Sequence, residues 1–314
     1  MRIVFMGTPD FAVPTLTALV EGGHEVIAAV TQPDKPKGRG KSVLMTPVKE
    51  KAIEYQIPVY QPVKVRDPEF VDLLKVMAPD AIVVVAFGQI LPKVILDLPK
   101  YGCVNIHASL LPKYRGASPI QSCVLAGETE TGVTVMKTAL GLDTGDILLS
   151  LKTEIGEKET FGELSDRLSL LGAEALLKAL QSIEKGNFAL VKQRDEDAVL
   201  TRKIAKESAK IDFSLPAEKI VNLVRGMNPE PTAFAEIEGA RLNVFCAERA
   251  VCPEGSEGAA AGEILSDTPK QGFLVKCGDG AVKLAEVQAA GGKRMKGSDF
   301  LNGRKVRKGQ VFSC

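Results

Sequence analysis

The sequence predicts two domains: an open, parallel-rich α/β sheet of the Rossmann-like type, followed by a small C-terminal β-barrel of the OB-like kind. Three observations lead there. Apolar strand-like runs alternate with helix signals through roughly the first two-thirds of the chain, the pattern of βαβ units. One run, Asp80–Phe87 ("DAIVVVAF"), is apolar on both faces, as a central parallel strand is. After Asn187 the signals become short runs such as "TAFAEIE", "RLNVFCAE", "AGEILSD", "GFLVKCGD" and "AVKLAEVQ", separated by turn residues. A spacing of about 8–12 residues between turns is that of a barrel or sandwich.

The elements follow in order. "RIVFMG" (Arg2–Gly7) is a short buried strand, and Thr8-Pro9 reads as the cap and first residue of a helix to about Val20. "EVIAAVTQ" is the second strand, followed by the polar loop "PDKPKGRGKSVLMT". Pro47 opens a helix to about Gln56, and Pro68 another to Met77. After Asp80–Phe87 come the strand "CVNIHAS", the helix "SPIQSCVLAG" and the strand "TGVTVMKT". "LLSLKTEI" precedes a long amphipathic helix from about Thr160 to Glu184. The charged stretch "KQRDEDAVLTRKIAKESAK" lacks periodicity and reads as a linker, with a helix from Pro216 to Gly226 beyond it. The expected division is 1–188, linker 189–206, and 207–314.

Composition narrows the function classes. The chain of 314 residues is 45% hydrophobic and 25% charged, which suits a globular fold with its own core. No apolar run approaches the roughly 18–20 residues that span a bilayer, and the N-terminus enters a strand directly, so a cytoplasmic protein is expected. The six cysteines show no CxxC spacing and there are only two histidines, so a metal site is not expected. Net charge is +1, but it is unevenly placed. "KPKGRGK" (Lys35–Lys41) holds four basic residues and no acid, and Lys293–Lys308 holds seven against Asp299. Two such segments on a near-neutral chain suggest a polyanion touching particular places, although either one alone is also what a solvated basic loop or tail looks like. A dinucleotide site is opposed by the turn "GTPDFA", which is not GxGxxG, and no P-loop pattern occurs.

The chemistry concentrates in "GCVNIHASLLPKYRGASPI" (Gly102–Ile120). In a strand, residues i and i+2 share a face, so Asn105 and His107 project together, with Val104, Ile106 and Ala108 on the other side. That polar pair ends what reads as a central strand, where ligands of open α/β sheets bind. Asp143 and Asp146 follow the next strand in the glycine-flanked loop "ALGLDTGDI". An amide, an imidazole and a carboxylate converging there can stabilise an oxyanion and relay a proton. No serine, threonine or cysteine is placed as a covalent nucleophile, which favours direct attack by a substrate nucleophile.

"HASLLPKYRGASPIQ", with Asn105 two residues upstream and "GLDTGD" downstream, closely resembles the folate-dependent formyltransferases. "IVFMGTPDFA", "TQPDKPKGRGK" and "MNPEPTAF" narrow the resemblance to the branch acting on aminoacyl-tRNA, over essentially the whole chain. The resemblance implies the formyltransferase type of Rossmann-like fold. It implies transfer of the formyl group of 10-formyltetrahydrofolate to the α-amine of methionine esterified to initiator tRNA. It gives Asn105, His107 and Asp143 the catalytic roles and Ser109, Leu110, Leu111 and Pro112 the folate site. Lys35, Lys37, Arg39 and Lys41, with Lys293, Arg294, Lys296 and Arg304, then become contacts to tRNA phosphates. A monomer without metal or membrane partner is expected. The chain departs from the family pattern at Glu230 and Thr232, where tryptophan and glycine are usual, and at Lys113-Tyr114, where an Arg-Trp pair is usual.

Three other readings share parts of this evidence. A formyltransferase acting on a small amine such as an amino sugar uses the same three residues but needs neither basic segment. A non-enzymatic RNA-binding module explains the charge and leaves the polar strand end without a purpose. A hydrolase releasing formate replaces the amine by water.

Overall fold

The computed structural model describes residues 1–37, 42–266, 268–303 and 306–313. The chain divides into two units. The first is formed by Met1–Pro119, Glu130–Glu154 and Ser165–Thr201, the second by Ile120–Thr129, Ile155–Leu164 and Arg202–Cys314.

Twenty-four regular elements make up the described chain. In order these are β1 (Arg2–Gly7), α1 (Val13–Glu21), β2 (Glu25–Val30), β3 (Lys35–Lys37), β4 (Ser42–Leu44), α2 (Pro47–Glu54), β5 (Val59–Tyr60), α3 (Pro68–Met77), β6 (Ala81–Val85) and α4 (Lys93–Leu96). Then follow β7 (Cys103–His107), β8 (Arg115–Gly116), α5 (Pro119–Ala126), β9 (Glu130–Lys137), β10 (Ile147–Glu154), α6 (Phe161–Glu184) and β11 (Leu200–Thr201). The chain ends with α7 (Ala217–Gly226), β12 (Ala233–Ile237), β13 (Ala240–Ala250), β14 (Leu274–Cys277), β15 (Gly280–Ala289), β16 (Met295–Lys296) and α8 (Gly297–Asn302).

Proline and cap chemistry set several helix starts. Thr46 caps α2, its hydroxyl accepting the Lys49 amide at 3.3 Å, and Pro47 opens that helix. The helix expected at Pro9 begins later. Pro9 is extended, Asp10–Ala12 form a short 3-10 turn, and α1 starts at Val13 with Pro14 in its first turn. Either proline fits a helix start, and the second one takes it.

The first unit holds a seven-stranded sheet in the order β10-β9-β7-β6-β1-β2-β5. The five strands from β7 to β5 are parallel, while β9 runs antiparallel to β7 and β10 antiparallel to β9. Ile3, Val4, Phe5 and Met6 of β1 and all of β6 are buried, as central strands covered on both faces require. On the antiparallel side, Gly172 of α6 lets the helix approach β7 closely; a Cβ there would lie 3.0 Å from Ile106 Cγ2. Ile106 therefore faces α6, and Asn105 and His107 take the opposite face of the sheet.

The stretch expected as a linker is partly bound to the first unit. Val191 and Ile147 exchange backbone hydrogen bonds of 2.9 and 2.8 Å, and β11 pairs with β8. These contacts run between residues far apart in sequence, so no local pattern announces them.

In the second unit β12, β13, β15 and β14 form an antiparallel sheet, with β16 added to β15. "AGEILSD" is not a strand. Its residues make isolated bridges, Glu263 with Val311 and Ile264 with Val275, and Ser313 bridges Glu236 on β12. Those bridges carry the pairing round from β12 to β14, which shields strand edges that would otherwise lie open. The core stacks Phe213 on Phe312 at 5.2 Å and Phe273 on Phe300 at 5.8 Å.

Candidate active site

The site is built on the face of β7 and β9 that turns away from α6. Asn105 pairs with Met136 and His107 with Thr134 across the antiparallel ladder, and directly opposed residues share a face. Asn105, His107, Met136 and Thr134 thus form one patch.

His107 is 6% exposed, and both ring nitrogens have neighbours. Nε2 lies 2.8 Å from the Tyr114 carbonyl, which can only accept, so Nε2 donates. Nδ1 lies 3.5 Å from Asp143 Oδ2, beyond a well-formed hydrogen bond. The Asn105 amide is partly exposed and bonded to no other described side chain or backbone group.

Asp143 reaches this patch by a route the sequence did not reveal. Because β9 is antiparallel to β7, its last residue Lys137 sits beside Val104, at the start of β7 rather than at its carboxyl end. The loop after β9 folds back along the sheet to bring Asp143 to His107. Asp143 has φ 50° and accepts the Gly116 amide at 2.8 Å. Asp146 is not at the ring; its carbonyl accepts the Lys137 amide at 2.9 Å. Two glycines make the arrangement possible. At Gly145 a Cβ would lie 1.6 Å from the Lys137 carbonyl oxygen. Gly116 has φ 107°, and a Cβ there would lie 2.5 Å from the Thr201 carbonyl oxygen.

The turn after β7 is rigidly held. Thr134 Oγ1 donates to the Ser109 carbonyl at 2.7 Å and accepts the Leu111 amide at 3.1 Å. Ser109 Oγ donates to the Lys113 carbonyl at 2.6 Å, and the Pro112 carbonyl accepts the Val199 amide at 3.3 Å. Most polar backbone groups of this turn are therefore already satisfied. Ser109 and Leu111 are buried, whereas Leu110 and Pro112 are partly exposed. Within the four expected folate residues, the accessible surface belongs to Leu110 and Pro112.

Sequence reasoning missed several residues that build the site. Thr134 is one: it faces His107 across the ladder, a register that no local pattern announces. Arg115 and Gln193 are others. Arg115 is buried, donating from Nε to Gln193 Oε1 at 2.8 Å and from Nη1 to Asp195 at 2.9 Å. Among the described residues no group of three or more metal-binding side chains occurs.

Of the basic residues, Lys35 is exposed and belongs to the first unit, with Lys37 beside it on β3. Arg39, Lys41 and Arg304 lie outside the described residues. Lys293, Arg294 and Lys296 are exposed on the second unit. Arg294 is partly committed, bonded to Glu286 and placed 4.3 Å from the Phe245 ring centre.

Residues 1–180 match the family model described as formyl transferase, and 203–305 the model of its C-terminal domain. The chain belongs to the formyl transferase family. Among curated formyl transferases, the methionyl-tRNA formyltransferase of Citrifermentans bemidjiense is 50% identical over 312 residues, 99% of this chain and 96% of that protein. The enzyme of the same name from Lachnospira eligens is 48% identical over 314 residues, 99% of each chain. Among solved structures, HypX from Aquifex aeolicus in complex with tetrahydrofolic acid shares the fold with a TM-score of 0.65 at 18% identity. That likeness covers 100% of this chain and 51% of HypX.

Proposed function

We propose that this formyl transferase moves the formyl group of 10-formyltetrahydrofolate onto the α-amine of methionyl-tRNA, giving N-formylmethionyl-tRNA for translation initiation. Close likeness over the whole chain to curated methionyl-tRNA formyltransferases supports the substrate pair. One observation carries the chemistry: the His107 ring lies between the Tyr114 carbonyl and the Asp143 carboxylate, on the strand face that also presents the Asn105 amide.

That geometry divides the labour. Nε2–H is committed to Tyr114, which fixes the ring plane. Nδ1–H, loosely opposed to Asp143, is the donor available to a carbonyl oxygen gaining negative charge, with the Asn105 amide as a second donor. An α-amine with an ordinary pKa of about 7.7–8.0 has an appreciable neutral fraction at pH 7. The neutral amine attacks the formyl carbon and a carbon–nitrogen bond forms. Its surplus proton passes towards Asp143, directly or through water. The bond from the formyl carbon to the donor nitrogen breaks, and that nitrogen takes up a proton. No acyl-enzyme is needed.

The turn fits a flat heterocyclic donor because Leu110 and Pro112 offer apolar surface while Thr134 keeps the backbone in place. Lys35, Lys37, Arg39, Lys41, Lys293, Arg294, Lys296 and Arg304 meet tRNA phosphates. The enzyme acts as a cytoplasmic monomer; among the described residues no helix is long and apolar enough to cross a membrane. The test uses labelled 10-formyltetrahydrofolate with methionyl-tRNA, uncharged tRNA and a free amino sugar as acceptors. Label entering methionyl-tRNA alone supports the proposal. Label in the amino sugar, or release of free formate without acylation of any acceptor, overturns it.

A further inference from the structure

Asp143 owes its position to residues outside its own loop. Gln193 lies fifty residues downstream, in the part of the first unit that follows α6. Its Nε2 donates to the Asp143 carbonyl at 2.8 Å and to the Gly145 carbonyl at 2.7 Å. Both hydrogens of one amide are thereby spent on the loop that carries the carboxylate. Its Oε1 accepts from Arg115 Nε at 2.8 Å, and Arg115 is the residue before Gly116, whose amide Asp143 accepts. Gln193 thus closes a ring of contacts: Asp143 loop, Gln193, Arg115, Gly116, and back to the Asp143 side chain.

The segment around Gln193 is itself pinned on both sides. Val191 is paired with Ile147, the residue after the Asp143 loop. Val199 accepts the Arg115 amide at 2.8 Å, and Thr201 Oγ1 donates to the Arg115 carbonyl at 3.2 Å. This segment of the first unit therefore brackets both loops that build the site. Arg115 is 4% exposed, and its Nη2 has no hydrogen-bond partner among the described residues, which is unfavourable for a buried donor. A guanidinium buried in that state, bonded to Gln193 and to the exposed Asp195, is explained if the site needs that glutamine held still.

We propose that Gln193 is a positioning residue: held by Arg115, it fixes the loop so that the Asp143 carboxylate stays in register with His107. This rests on the proposed role of Asp143 in formyl transfer. The hydrogen bonds of Gln193 reach neither the His107 ring nor the Asp143 carboxylate. It acts through the carbonyls of Asp143 and Gly145, and a carboxylate displaced by about 1 Å costs turnover on the order of 100-fold.

The test compares Gln193→Met, which keeps the volume and loses every bond, with Gln193→Glu. The glutamate retains the acceptor for Arg115 but turns a carboxylate towards two carbonyls. Steady-state kinetics with methionyl-tRNA and the formyl donor are measured beside thermal melting, with Asp143→Asn as reference and Asp195→Asn as a control at the exposed end of the network. Expected for both Gln193 variants is a kcat lowered about 10- to 100-fold, with both KM values within about threefold of wild type. Asp195→Asn keeps kcat within about threefold. A wild-type kcat in both Gln193 variants, or losses confined to KM or to melting temperature, overturns the inference. If Asp143→Asn is itself fully active, the proposed role of Asp143 fails instead, so the two failures are distinguishable.

Discussion

Nδ1 of His107 lies 3.5 Å from Oδ2 of Asp143, and that same oxygen accepts the Gly116 amide at 2.8 Å. The carboxylate is anchored by backbone and leans on the ring without being locked to it. Asp143→Asn keeps the shape and the capacity to accept from Gly116 but loses the charge behind His107. Turnover is expected to fall about 100- to 10,000-fold, the range for loss of an acid–base group, with tRNA affinity changed less than about threefold. Steady-state kinetics and filter binding separate the two quantities. A kcat near wild type removes the role.

Gly145→Ala tests the loop from its backbone. The added methyl would lie 1.6 Å from the Lys137 carbonyl oxygen, and backbone cannot swing aside as a side chain can. The loop must rebuild. A destabilisation of about 1–3 kcal/mol is expected, with activity lost beyond the change in folded fraction. Denaturant unfolding alongside single-turnover assays checks both, and a stable, fully active variant contradicts the described loop.

The Thr134 hydroxyl holds the turn after β7 at two points, the Ser109 carbonyl and the Leu111 amide. Thr134→Val preserves shape and strips both bonds from a buried site. The expected result is a loss of about 1–3 kcal/mol in stability and a raised KM for the folate donor, with the KM for tRNA unchanged. Isothermal titration with a folate ligand measures it; unchanged folate affinity argues against the turn as part of that site.

Burial pushes the Cys103 thiol up from 9.0 to about 12, with its sulfur 3.6 Å from the Ile95 carbonyl. Below pH 9 the thiol is protonated in both folded and unfolded chains and contributes no pH dependence. Between pH 9 and about 12 the unfolded chain releases its proton while the folded one retains it, so stability falls as pH rises. Cys103→Ala is expected to flatten that part of the curve in urea unfolding measured from pH 8 to 11. Identical slopes for both proteins would show that the thiol ionises freely in the fold.

Much of this was legible in the sequence, and the losses have physical causes. The two-residue period of "CVNIH" placed Asn105 and His107 on one face because a strand permits no other arrangement. Pro68 and the amphipathic run behind it marked α3 with the bounds the structure shows, Pro68–Met77. The start of α1 was misplaced because two prolines, Pro9 and Pro14, were equally able to open a helix. The direction of β9 was hidden, since parallel and antiparallel neighbours share the same apolar pattern. Asp143 does lie in the loop after β9, as read, but that loop leaves from beside Val104 and has to fold back to reach His107. Gln193 and Arg115 left no sign, because they meet across 78 positions in a stretch without periodicity. "AGEILSD" carried strand composition but pairs only through isolated bridges.

Salt separates the two substrates. On the proposed contacts, the basic residues of Lys35–Lys41 and Lys293–Arg304 neutralise phosphates and release counterions, whereas the turn at Leu110 and Pro112 is apolar. Raising salt from about 50 to about 200 mM is expected to weaken tRNA binding at least 10-fold and leave folate binding within twofold. Equal sensitivity of both ligands contradicts that division.

The most direct measurement is a double-mutant cycle between His107 and Asp143. Transfer to methionyl-tRNA is followed in single turnovers for His107→Ala, Asp143→Asn and the pair. Residues that serve one developing charge together give strongly non-additive losses, the double variant being about as slow as the worse single one. Losses that multiply in full would mean that ring and carboxylate act separately, and the shared site described here would be wrong.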